Sequence, residues 1–208
     1  MAQVLSGIRS VLSHSLVYDV FQSVVGGVAA RRRVCAEYVR ASPADIVIDV
    51  GCGTGDVLRF LPQESTYYGF DLSQQYIDKA KLRHAGRENC SFRCTNLNDV
   101  APDELPLCDI AIIFGVLHHI SDLEATRLLS GIHSRLAPHG RVVCMDPAIQ
   151  EGQSRIARYL ISNDRGQNVR SADAYASLVP ASYSNKNVVV RDDLFYLPYT
   201  LSIMCLEK

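Results

Sequence analysis

The sequence has almost no net charge, no long apolar run and no C-x-x-C cysteine pair. Its 208 residues carry 21 Lys and Arg against 22 Asp and Glu, so a net charge of −1 gives no long-range attraction to nucleic acid or anionic lipid. The longest apolar run, residues 110–117, is far shorter than the roughly twenty residues of a membrane-spanning helix. We therefore expect no nucleic-acid partner and no membrane insertion.

The cysteine count and the N-terminal stretch favour a cytoplasmic protein. The seven cysteines are an odd number without a C-x-x-C pair, which is typical of reduced, buried thiols. The apolar stretch 11–25 is interrupted by His14, Asp19 and Gln22, so we do not interpret it as a signal peptide. Length and the 48% hydrophobic content predict a single domain over residues 1–208 with its own core.

Short apolar runs alternate with helical patterns from residue 46 onward. Helices are expected to open at Thr54 and Ser73, and a third over 121–136 begins with a capping box of Ser121 and Glu124. This alternation predicts an α/β fold with a parallel sheet. The expected strands are 46–50, 67–70, 91–94, 109–114 and 141–145.

The chain changes character after residue 146. A polar stretch with several arginines, 150–170, precedes a short helix predicted over 171–178. Two further strands are expected near 187–191 and 199–206, and the turn around Pro198 between them favours an antiparallel pair.

The segment from Val47 to Asp56 runs from an apolar strand into glycines at 51, 53 and 55. Alternating glycines permit positive φ and let the backbone approach a ligand closely, as nucleotide-like ligands require. A dinucleotide fingerprint would need Gly or Ala at position 56, where this chain has Asp56, and no G-x-x-x-x-G-K-[ST] motif is present. NAD and ATP are therefore disfavoured.

The pattern D-x-G-x-G-x-G resembles the signature of class I S-adenosylmethionine-dependent methyltransferases, and the resemblance extends over about residues 46–146. It implies a Rossmann-like seven-stranded sheet, mostly parallel with an antiparallel last strand, and helices on both faces. It also implies an N-terminal helical cap (1–40), a substrate-side insertion (147–180) and S-adenosylmethionine as cofactor, with S-adenosylhomocysteine as product.

The resemblance assigns cofactor contacts to positions after four strands. Asp49 would orient the glycine loop and meet the methionine amino group, and Asp71 would bind both ribose hydroxyls. Asn96 stands where the family often has an aspartate for the adenine amine, which its amide oxygen can also accept. The implied cofactor residues are Asp49, Gly51, Cys52, Gly53, Gly55, Asp71, Leu72, Asn96, Leu97, Phe114 and Gly115.

Candidates for the acceptor side follow the fourth strand and flank the core. His118 or His119 could act as general base, although both could equally serve only in packing, and orientation alone could drive the transfer. Tyr18, Gln22 and Arg165 are candidate substrate-binding residues, and no metal is expected. The favoured function is methyl transfer to a small metabolite or saccharide-type acceptor. The alternatives are an RNA or protein methyltransferase and a non-catalytic protein that binds the cofactor.

Overall fold

A computed structural model describes residues 26–163 and 166–208, and their helices and strands alternate as the sequence predicts. The helices are α1 (Gly27–Val34, continued by a π-helical turn Cys35–Val39), α2 (Gln74–Arg83), α3 (Asp122–Arg135), α4 (Arg155–Ser162) and α5 (Ala172–Ser177). The strands are β1 (Ile46–Val50), β2 (Thr66–Asp71), β3 (Cys90–Cys94), β4 (Cys108–Phe114), β5 (Leu136–Pro147), β6 (Asn185–Arg191) and β7 (Leu201–Glu207).

The seven strands form one sheet in the order β3-β2-β1-β4-β5-β7-β6. Strands β1 to β5 pair in parallel, and β7 lies antiparallel between β5 and β6. The expected Rossmann-like sheet with an antiparallel last strand is thus confirmed.

Two hydrophobic clusters cover the two faces of this sheet. One contains Ala125, Leu129 and Ile132 of α3, and the other contains Val34 of α1 and Ile77 of α2. Side chains alternate between the faces of a strand, and β4 is apolar on both because both faces are covered. Helices therefore lie on both sides of the sheet.

Two local expectations differ from the structure. The helix expected to open at Thr54 is a five-residue 3₁₀-helix, Asp56–Phe60, because Gly55 takes a φ of 73° and Leu61 returns to an extended conformation. The polar stretch 150–170 contains α4, which buries Ala157 and Ile161 four residues apart on one face. Arginines on the remaining faces concealed that short apolar stripe in the sequence.

No helix among the described residues is long and apolar enough to cross a membrane.

Candidate functional site

The candidate site lies beyond the carboxyl ends of β1, β2 and β4. The chain moves outward from β1 through β2 to β3 on one side, and through β4 to β5 on the other. In open α/β sheets the crevice that binds ligands opens where the strand order reverses in this way. The loop of alternating glycines leaves β1 at that point.

The glycine loop is fixed to β2 and presents one open position. The amides of Gly51 and Cys52 both donate to the Phe70 carbonyl, at 2.7 and 3.0 Å. A Cβ built on Gly51 would lie 2.3 Å from Cγ2 of Val116, whereas a Cβ on Gly53 would meet no heavy atom within 4 Å. The loop thus packs against protein at Gly51 and faces open space at Gly53.

Asp71, at the end of β2, is tied to the glycine loop. Its Oδ2 accepts the Gly53 amide at 2.9 Å, and its Oδ1 accepts the Ser73 amide at 2.8 Å. Each carboxylate oxygen keeps capacity for a second donor, so these bonds orient the group without exhausting it. Leu72, beside it, has a residue exposure of 57%.

Asp49 lies beneath this loop at 1% exposure and accepts a 2.6 Å hydrogen bond from the hydroxyl of Tyr67. The pKa of Asp49 is raised to about 7: burial is the main cause and the nearby Asp71 carboxylate adds to it, while the Tyr67 bond and the positive charge of Arg31 oppose the rise. The carboxyl therefore changes charge near neutral pH.

Asn96 and Leu97 follow β3. The amide oxygen of Asn96 accepts the Asn98 amide at 3.0 Å and caps the 3₁₀-helix Leu97–Asp99, and Asn96 itself is exposed. The Leu97 side chain is buried in the core. The Asn96 oxygen thus has a structural role and a second lone pair for a ligand donor.

Phe114 ends β4, and Gly115 turns the chain. Gly115 has a φ of 71° and donates its amide to the Met145 carbonyl at 2.7 Å, which joins the ends of β4 and β5. The 3₁₀-helix Leu117–His119 begins two residues later, so the two histidines follow directly after the Gly115 turn.

The two histidines have different surroundings. His118 is buried, and both its Nδ1 and its backbone amide lie near Oδ1 of Asp146, at 2.7 and 3.2 Å. Burial raises the pKa of Asp146, and the contacts with His118 oppose that shift. His119 is exposed, with its ring centroid 4.0 Å from that of His118. The buried pair thus supports an exposed imidazole.

The arginines after β5 do not form one cluster. Arg170 is 9% exposed, and its guanidinium donates to the carbonyls of Leu117 and Ile120 and to the carboxylate of Asp122. Arg170 therefore holds in place the 3₁₀-helix Leu117–His119, which we call the histidine turn. Arg155 and Arg158 are exposed on α4. Tyr18, Gln22 and Arg165 lie outside the described residues.

Sequence reasoning missed Tyr67 and Asp146. The strand pattern identifies Tyr67 only as an apolar strand residue, and no feature of that strand alone shows that its hydroxyl donates to Asp49. Asp146, by contrast, stands at the carboxyl end of β5, the same position that singled out Asp71 on β2.

No group of three possible metal ligands occurs among residues 26–163 and 166–208.

Residues 48–142 match the family described as Methyltransferase domain. Among solved structures, human N-acetylserotonin methyltransferase in complex with SAM is 17% identical, with a TM-score of 0.68 over 93% of this chain and 54% of its own. The mitomycin 7-O-methyltransferase MmcR is 19% identical, with a TM-score of 0.69 over 96% of this chain and 60% of its own. The N-methyltransferase NodS from Bradyrhizobium japonicum WM9 is 14% identical, with a TM-score of 0.64 over 86% and 96%.

These matches agree on the fold. This chain shares the fold of the methyltransferase structures named above, and the family match covers residues 48–142, a little under half of the chain. It spans little more than half the length of the first two structures named above. No curated protein sequence matches it significantly.

Proposed function

We propose that this protein is an S-adenosylmethionine-dependent methyltransferase acting on a small-molecule acceptor. The observation that carries the proposal is the bond between the Gly53 amide and the Asp71 carboxylate. This bond keeps Gly53, which has room for a ligand, next to the Asp71 carboxylate, which can accept hydrogen bonds from hydroxyl groups. Both residues lie at the carboxyl ends of the strands, where α/β folds bind ligands. When bound, the cofactor supplies an electrophilic methyl group on a positively charged sulfur.

The chain's own residues fit this cofactor part by part. Asp71 would accept the two ribose hydroxyls, which is a favourable task for an ionised carboxylate. Asn96 and the Leu97 amide would meet the adenine, and Asp49 the methionine amino group, directly or through water. Gly53 would lie directly against the cofactor, whereas Gly51, Cys52 and Gly55 would contribute the backbone of the loop. The proposed lining is completed by Leu72, Phe114 and Gly115.

The acceptor would enter from the side of the histidine turn. Because residues 27–39 pack on the sheet as α1 and its π-helical turn, the proposed cap is limited to the segment before α1, which carries Tyr18 and Gln22. Residues 147–180 would form an insertion carrying Arg165. His119 is the member of the histidine pair that an acceptor can reach, because His118 is buried against Asp146. We assign His119 the role of general base for a hydroxyl or amine acceptor, and His118 the role of holding it.

Two of the similar structures support a small acceptor, since they are methyltransferases named for N-acetylserotonin and mitomycin. The balanced charge of this chain does not favour an RNA acceptor. A protein acceptor or a purely cofactor-binding role would give a different result in the test below.

Calorimetry with S-adenosylhomocysteine, followed by methylation of a fractionated cell extract with radiolabelled cofactor, tests the proposal. We expect micromolar or tighter binding and label in a low-mass fraction. Label in RNA or protein would redirect the substrate class, and binding without any label would favour a cofactor-binding protein. Saturable binding of NAD without binding of S-adenosylhomocysteine would reject the assignment.

A further inference from the structure

Tyr67 and Asp49 form a buried hydrogen-bonded pair beneath the glycine loop, with exposures of 0% and 1%. We propose that Tyr67 is a positioning residue that sets the protonation state of Asp49, so that cofactor binding releases a proton from this carboxyl. The inference rests on the proposed function, because the ligand charge that drives the release is the methionine ammonium of the cofactor.

The register of the sheet explains how the pair forms. Asp49 lies beside Gly69 on β2, and Tyr67 is two residues away on the same face. A Cβ on Gly69 would approach Cε1 of Tyr67 to 3.0 Å, so the glycine leaves room for the tyrosine ring to extend toward Asp49. Phe92 of β3 packs against that ring at a centroid distance of 5.6 Å. The ring that carries the hydroxyl is therefore packed between Gly69 and Phe92.

The groups around Asp49 act on its ionisation in opposite directions. Asp71 disfavours ionisation of Asp49, whereas the Tyr67 bond and Arg31 of α1 favour it. The thiols of Cys35 and Cys52 also face the carboxyl, but burial raises the pKa of both, so they stay neutral. An incoming ammonium adds a further positive charge to that of Arg31, which stabilises the carboxylate.

Linkage fixes the direction of the pH effect. A ligand that binds only the carboxylate binds more weakly below the pKa of Asp49 and with constant affinity above it. With that pKa at about 7, the dissociation constant of S-adenosylhomocysteine should be about tenfold higher at pH 6 than at pH 8. Titrations in buffers of different ionisation enthalpy should show net proton release at pH 6.5 and almost none at pH 8.

The variant Tyr67→Phe removes only the hydroxyl and keeps the packed ring. The variant loses a bond that favours the ionised carboxyl, so the pKa of Asp49 should rise. S-adenosylhomocysteine should then bind about tenfold more weakly than to the wild type at pH 7, and only about twofold more weakly at pH 8.5. Loss through altered packing would instead be equal at both pH values.

Two controls isolate the charge effect. Tyr68→Phe makes the same change at the next position of β2, whose side chain packs against the opposite face. It should leave the pH profile unchanged. Methylthioadenosine lacks the ammonium, so its affinity should not vary with pH in wild type or in Tyr67→Phe.

The outcomes separate this inference from the function on which it rests. Binding of S-adenosylhomocysteine that does not vary between pH 6 and 8 overturns the inference and leaves the methyltransferase proposal intact. A pH-independent loss in Tyr67→Phe likewise shows that Tyr67 is only structural. If the wild type fails to bind S-adenosylhomocysteine at any pH, the proposed function is wrong, and the inference is rejected with it.

Discussion

Asp71 joins the glycine loop to β2 and is proposed to bind the ribose of the cofactor. Replacing Asp71 tests whether it has this second role in addition to supporting the loop. Asp71→Ala should weaken cofactor binding by roughly 1–3 kcal/mol, because charge-assisted bonds to two hydroxyls are lost. Calorimetry with S-adenosylhomocysteine and its 2′-deoxy analogue measures the effect. In wild type the deoxy analogue should bind more weakly, whereas in the variant the two ligands should bind almost equally.

The control for that prediction is Asp71→Asn, which keeps one oxygen to accept the Gly53 or Ser73 amide and loses the charge. Its affinity should lie between those of wild type and Asp71→Ala. If wild type and Asp71→Ala discriminate equally against the deoxy analogue, Asp71 does not contact the ribose.

Among single residues, His119 is the one for which we predict an effect on catalysis. His119→Ala should lower kcat by about 10² or more, because general base catalysis contributes about 10²–10⁴-fold. Cofactor affinity should change little, since we propose that the imidazole serves the acceptor and does not contact the cofactor. Steady-state kinetics and calorimetry on the same preparation test both statements.

His139→Asn is a control, because His139 is also exposed but lies near the amino end of β5, whereas His119 follows the carboxyl end of β4. Asn is chosen because it tolerates the positive φ of 68° found there. Equal, modest losses of kcat and cofactor affinity in His119→Ala would show that this histidine only packs.

At the scale of elements, the glycine loop predicts opposite outcomes for two glycines. Gly51→Ala should lower the free energy of unfolding by about 2–5 kcal/mol, because its Cβ would collide with Val116 and its φ of 71° is unfavourable for alanine. Gly53→Ala should fold with the smaller cost of a positive φ, about 1–2 kcal/mol, and lose at least tenfold in cofactor affinity. Urea unfolding and calorimetry compare the two variants.

A Gly53→Ala variant that binds the cofactor as tightly as wild type would place the ligand elsewhere. Serine in place of Gly53 provides a further check, since its larger side chain should weaken binding more if the space above the loop holds the cofactor.

The histidine turn depends on Arg170, which is anchored to three backbone carbonyls and Asp122. Arg170→Ala should cost roughly 1–3 kcal/mol, because buried carbonyls lose their donors. Arg158→Ala removes an exposed arginine from α4 and should change stability by less than about 0.5 kcal/mol. Unchanged stability of Arg170→Ala with a raised KM for the acceptor would make Arg170 a substrate residue instead.

Elements with strong local patterns were predictable, and contacts between elements were not. The strands were visible as short apolar runs, and α3 as a capping box followed by a helical stripe. The helix α4 was missed because it buries only Ala157 and Ile161, while Ile156 and Tyr159 stay exposed among arginines. The bonds from Tyr67 to Asp49 and from His118 to Asp146 depend on strand register and turn geometry, which no local pattern specifies.

At the scale of the whole molecule, the cofactor should stabilise the fold. A ligand at one hundred times its dissociation constant adds about 2.7 kcal/mol. For a chain of this length that corresponds to a rise in Tm of about 5–10 °C. Thermal melts with S-adenosylhomocysteine should show this shift, and melts with NAD or ATP at equal concentration should not. A Gly53→Ala variant that shifts as much as wild type would contradict the assigned site.

The position of β7 governs when the sheet can be completed. β7 pairs with both β5 and β6, so β6 has no place in the sheet until β7 has been synthesised. On the ribosome, β1 to β5 can assemble first, and they carry the glycine loop, Asp71 and the histidine turn. Until β7 emerges, the free edge of β5 is open to pairing with other chains. A pause in translation between β5 and β7 would therefore leave a nearly complete cofactor site on an intermediate prone to aggregation.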